Sequence, residues 1–126
     1  MNGFAFGLAL LLAFAIIGIG AWYLASPTTA VRSFGLPLPD GGSNTAWWLR
    51  LKGVRDVASG VTVLALMISS GPRAAGIVLL AETIIPVGDM LVILAAKGSA
   101  KTAFGVHGLT ALVMILAAIP LIVGAP

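Results

Sequence analysis

Apolar residues dominate four stretches of this chain, at about 3–25, 46–69, 73–95 and 101–123, separated by segments richer in Gly, Pro, Ser and charge. Each meets the roughly 20 residues that a helix needs to cross a bilayer core, and together they use up nearly the whole sequence. The pattern predicts a single all-α membrane domain over residues 1–126. Its expected form is a four-helix transmembrane bundle with the N and C termini on the same, non-cytoplasmic side. The second stretch is the least apolar, because Arg50, Lys52, Arg55 and Asp56 all lie in its first half. The first reads as a retained span: it lacks a basic leader and exceeds the roughly 7–15 apolar residues of a cleaved signal. A signal peptide is the lesser alternative.

The connections set the expected orientation. Arg32 lies in the first, with Arg50 and Lys52 just beyond it, and Lys97 and Lys101 flank the third, whereas the second holds only Arg73. Positive-inside bias places loops 26–45 and 96–101 in the cytoplasm. Trp22 and Tyr23 at the end of the first span and Trp47 and Trp48 at the start of the second match an aromatic belt at that interface. The first loop is patterned. Ser26-Pro27 reads as a helix start, Thr28 to Phe34 as a short interfacial helix ended by Gly35, and Ser43 or Asn44 as a cap for the second span. A loop of this length is either a binding lid or a connector lying on the headgroups.

Composition agrees with a membrane chain and narrows the chemistry. Of the 126 residues 60% are hydrophobic and only 9% charged, too few charges to cover a soluble protein of this size. The formal charge of +3 sets topology and gives no reason to expect nucleic acid. No cysteine is present, which excludes thiol redox chemistry, disulfides and Cys-based metal sites. Thiol-dependent quinone reductases are thereby excluded. Small multidrug exporters carry an acidic residue in their first span, and here that span has none. One His and scattered carboxylates give no ligand spacing for a metal, and no cofactor is expected.

Charged groups inside a span cost about 2.5–3.5 kcal/mol each on insertion scales, so each needs a reason. At about 100° per residue, Lys52, Arg55, Asp56, Ser59 and Thr62 are expected on one stripe, with Arg50 opposite and free to snorkel. Glu82 and Asp89 are seven residues apart and share a face, with Pro86 between them to kink the helix. Glu82 lies about 13 Å past Arg73, close to mid-membrane and away from any cation, where the protonated acid is favoured. His107 lies about 9 Å inward from Lys101, between Gly105 and Gly108, with Thr110 one turn deeper. Depth therefore predicts that Asp56, Asp89 and His107 share a layer, that Arg55 pairs Asp56 or Asp89, and that Glu82 sits above them. The first span holds nothing ionisable, and its small residues, Gly3 with Gly7, Ala5 with Ala9 and Ala13, then Gly18 and Gly20, permit close packing either against its own bundle or, through Gly3 and Gly7, in a homo-oligomer.

Three motifs carry a resemblance over almost the full length. They are Leu49-Arg50-Leu51-Lys52-Gly53-Val54-Arg55-Asp56 with Gly60, Ile85-Pro86-Val87-Gly88-Asp89, and Val106-His107-Gly108, joined by Phe34-Gly35-Leu36-Pro37. With them the chain resembles an uncharacterised domain-of-unknown-function family of small four-helix membrane proteins, broadly similar to the DoxX-like bundles. The resemblance implies the bundle and no assigned activity.

The functional expectation is an intramembrane acid–base site that isomerises or cyclises a lipophilic small molecule drawn from the bilayer of a bacterial inner (plasma) membrane. Glu82 or Asp89 donates a proton and His107 or Asp56 takes one. Arg55, Lys52, Ser59, Thr110 and Trp47 hold the substrate. A proton-coupled carrier or proton relay is the alternative, and a structural or accessory subunit the second.

Overall fold

The computed structural model describes residues 3–124; the outermost residues of the expected 1–126 domain lie outside the described residues. These residues form helices and connections with no strand among them. Helix α1 is Gly3–Ala25, α2 is Pro27–Ala30 with a 3-10 turn at Val31–Ser33, and α3 is Ser43–Ser69. Helices α4, Pro72–Glu82, and α5, Ile84–Ala95, follow, then the short α6, Ala100–Thr102. A π-helical stretch at Ala103–Gly108 leads into α7, Leu109–Val123.

Three helical units are both long and apolar enough to cross a membrane: Gly3–Ala25, Pro72–Ala95 and Ala100–Val123. The expected count was four. Helix α3 has the length, 27 residues, but its first half holds Arg50, Lys52, Arg55 and Asp56.

The arrangement of side chains is that of an integral membrane protein. Large apolar groups point outward, among them Phe4, Ile68, Ile84, Trp48 and Val123, while the core is built largely from Ala. In water such a surface would aggregate; against lipid tails it costs nothing.

Small residues let the helices approach. Helix α1 lies along α3, and a Cβ on Gly53 would stand 2.7 Å from the Gly20 carbonyl oxygen. One on Gly60 would stand 2.5 Å from that of Ala13. Side chains at these glycines would push the two backbones apart. Gly3, Gly7 and Gly18 have open space instead and do not serve this contact.

Helix α4 packs on α7 and α3, and α7 on α1, closing one half of the bundle around Ala9, Met67, Leu79, Ala117 and Leu121. Toward the first and third connections the molecule divides into two pairs, α1 with α3 and α5 with the π stretch. The space between these pairs is the cavity described below.

The helical unit Pro72–Ala95 breaks where the sequence predicts a kink. Pro86 has no N–H to donate back to the Glu82 carbonyl, and the chain turns at Thr83. The Thr83 hydroxyl and backbone N–H both reach the Leu80 carbonyl, at 2.6 and 3.2 Å.

The caps differ from expectation. Ser26 precedes Pro27, but its side chain makes no capping bond. Gly42, not Ser43 or Asn44, is the N-cap of α3, and the Thr45 hydroxyl donates to the Asp40 carbonyl at 3.0 Å.

Candidate functional site

The cavity between the two helix pairs has a volume of about 340 Å³, within the range of about 300–1,000 Å³ that holds small-molecule ligands. Its ceiling is the packed half of the bundle, through Ala13, Val63, Leu79 and Met114. Its floor is the first connection, through Ser33 and Phe34. Ile19, Trp22, Ile85 and Val106 line it and remain 42–52% exposed, so its rim opens through apolar side chains.

One wall belongs to α3. Lys52, Asp56, Ser59 and Val63 follow each other at three- and four-residue steps and face the interior. The Lys52 ammonium donates to Asp56 Oδ2 at 2.5 Å, and Asp56 is 8% exposed. The same ammonium lies 4.5 Å from the centre of the Tyr23 ring and 5.2 Å from that of Phe34. Carboxylate and ring faces together replace the water this cation gives up.

Arg55 is exposed and lines no part of the cavity, contrary to the sequence expectation. It is rotated about 60° from Lys52, on the side away from Asp56. Relative to Lys52, the residues of α3 that line the cavity run from about −20° at Ser59 to about +80° at Gly60, and Arg55 at about −60° falls outside that arc. Thr62 is also outside, its hydroxyl bonded to the Ala58 carbonyl at 2.8 Å. Trp47 is exposed at the start of α3 and lies away from the cavity, its ring 4.9 Å from the Arg50 guanidinium. Arg50 in turn donates through Nε to the Leu24 carbonyl at 3.1 Å, satisfying an end group of α1.

The opposite wall comes from α4, α5 and the π stretch. Glu82, Asp89, His107 and Thr110 all line the cavity. Asp89 pairs with His107, at 3.5 Å between Oδ2 and Nδ1, and not with Arg55. The π geometry places an extra residue in the turn at Ala103–Gly108, and Gly108 lets α5 approach closely: a Cβ there would meet Met90 Sδ at 3.1 Å. Glu82 forms no ion pair among the described residues, and Ser59 is its polar neighbour.

His107 Nε2 lies 3.0 Å from the Phe34 carbonyl oxygen, 73 positions away in the chain. A carbonyl only accepts, so Nε2 carries a hydrogen. Nδ1 then faces Asp89 Oδ2, and a proton placed between them is held as imidazolium with carboxylate or as imidazole with carboxylic acid. Either form leaves the pair without net charge. The ring also meets Phe34 edge to face, with centroids 4.8 Å apart.

The first connection is held against the third. The Ser99 N–H donates to the Gly35 carbonyl at 2.8 Å. Gly35 has φ +99°, and a Cβ there would stand 2.8 Å from Thr102 Cβ. The loop is thus a fixed floor that positions His107. Tyr23 and Phe34 are site residues that sequence reasoning did not select. An aromatic near a helix end also fits the interfacial belt, and only the tertiary fold turns these two inward.

A family model described as a domain of unknown function, DUF4267, matches residues 13–121, and the chain belongs to that family. No curated protein and no solved structure matches it.

Proposed function

We propose that this member of a family without an assigned activity is a four-span, DoxX-like bundle of a bacterial plasma membrane that binds a lipophilic small molecule and moves protons on it. The observation that carries this reading is the clustering of Asp56, Glu82, Asp89 and His107 around one otherwise apolar cavity. In the proposed reaction, an isomerisation or cyclisation, a C–H bond breaks and its proton goes to His107 Nδ1 or Asp56. Glu82 or Asp89 returns a proton to another atom of the same molecule, so no further reactant is consumed. Lys52 takes the stabilising role first expected of Arg55, and the helices exclude water from the intermediate. The Lys52–Asp56 pair within the bundle supports counting α3 as the fourth span. The basic residues of loops 26–45 and 96–101 support a cytoplasmic position for both, with the chain ends opposite. The open face at Gly3 and Gly7 supports a homo-oligomer contact through α1.

The approach of Asp89 Oδ2 to His107 Nδ1 at 3.5 Å favours one second reading, a proton-coupled carrier or relay. Proteoliposomes in D₂O, presented with a panel of lipophilic ketones, enones and epoxides, separate the readings. Carbon-bound deuterium or a rearranged product, lost in Glu82→Gln and His107→Ala proteins of unchanged helicity, supports catalysis. Proton flux coupled to an unaltered solute supports the carrier. Absence of both, with co-purification of a larger partner, overturns each in favour of an accessory subunit.

A further inference from the structure

Tyr23 is 2% exposed and lines the cavity, yet its hydroxyl makes no hydrogen bond among the described residues. Neither is it sealed away: no buried side-chain oxygen or nitrogen among them lacks a partner. The hydroxyl therefore opens on the cavity. A phenol enclosed by protein normally has a hydrogen-bond partner. The Lys52 ammonium lies 4.5 Å from the centre of the same ring, and of its three hydrogens one is taken by Asp56 Oδ2, its one oxygen acceptor among the described residues. Both donors line the cavity with hydrogens that no oxygen or nitrogen acceptor among the described residues takes up.

Charge decides what kind of acceptor suits them. Lys52 and Asp56 cancel, and Asp89 cancels against His107 when that ring is protonated. Glu82 as the carboxylic acid, the form that needs no counter-ion, leaves the walls with no net charge. An anionic or cationic ligand would be an unpaired charge in this space, whereas a neutral oxygen would satisfy both donors.

Resting on the ligand-site reading above, we infer that the cavity selects an uncharged lipophile bearing an acceptor oxygen of the carbonyl type, held by the Tyr23 hydroxyl and the Lys52 ammonium. The remaining apolar wall, from Leu12, Ile16, Leu79 and Met114, takes its hydrocarbon part.

The test uses the full chain in nanodiscs with Trp47→Phe and Trp48→Phe, which leaves Trp22 at the cavity rim as the fluorescent reporter. The probes are 11-bromoundecan-2-one, 1-bromoundecane, 11-bromoundecanoate and 11-bromoundecyltrimethylammonium, whose bromine quenches tryptophan on contact. The ketone is expected to quench saturably, at a half-saturating mole fraction about tenfold below that of the bromoalkane. Tyr23→Phe should erase most of that margin, and neither charged probe should surpass the bromoalkane. Equal binding of ketone and alkane overturns the assignment of Tyr23 and Lys52, as does a margin that Tyr23→Phe leaves intact. Tighter binding of either charged probe overturns the neutral-ligand inference. In each of these outcomes the cavity remains a ligand site. Only linear, unsaturable quenching by all four probes overturns that reading as well.

Discussion

Removing Lys52 and removing Asp56 should have unequal costs, because the two partners of this pair are unequally supplied with substitutes. In Lys52→Met the Asp56 carboxylate, whose side chain is 10% exposed, loses its counter-ion. Breaking a buried pair in this way typically costs about 3–5 kcal/mol. In Asp56→Leu the Lys52 ammonium keeps the Tyr23 and Phe34 rings at 4.5 and 5.2 Å, and its side chain is already 30% exposed. Each ring is worth about 0.5–2 kcal/mol to a cation, so this loss should fall to about 1–2 kcal/mol. The double variant leaves no uncompensated charge and should lie within about 1 kcal/mol of the parent protein. Its cost should be below the sum of the singles by about 3 kcal/mol. Reversible unfolding in mixed detergent–SDS micelles, followed by helical circular dichroism, measures all four corners of the cycle. Additivity within about 0.5 kcal/mol would show that the two groups do not interact, and would refute the charge balance derived for the cavity.

A glycine inside the α1–α3 contact and one with open space around it should respond with opposite sign. Gly60→Ala sets a methyl 2.5 Å from the Ala13 carbonyl oxygen and should cost about 1–3 kcal/mol in the same assay. Gly18→Ala, where nothing lies within 4 Å, should gain about 0.5–1 kcal/mol from helix propensity. Gly35→Ala places a side chain at φ +99° and against Thr102, a strain of about 1–3 kcal/mol; faster amide exchange at Ser99 would record release of the loop. For His107, ¹⁵N spectra should show Nε2 protonated, as the donor to the Phe34 carbonyl. A neutral tautomer protonated at Nδ1 alone would contradict the bond to the Phe34 carbonyl.

Much of the site was readable from depth and helical phase alone. Counting residues inward from loop charges brought Asp56, Asp89 and His107 to one level, and seven-residue spacing put Glu82 on the Asp89 face. Phase failed at Arg55, which lies about 40° beyond the edge of the arc from Ser59 to Gly60 that α3 turns to the cavity. The identity of Asp89's partner depended on the π stretch around His107, a register change that the Gly105 and Gly108 flanks permit but do not encode. The floor was hidden for a different reason. The bond between the Phe34 carbonyl and His107 joins positions 73 apart and involves a backbone atom common to every residue. No pattern of side chains announces such a contact.

The account depends on one interior space in which scarce polar groups meet a molecule from the bilayer. A high-resolution map of the protein purified in lipid nanodiscs tests it most directly. The expected result is elongated non-protein density against Tyr23 and Lys52, extending toward Asp89 and His107. Side chains of Phe34, Leu79 and Met114 filling that space, with no density between the two helix pairs, would contradict it.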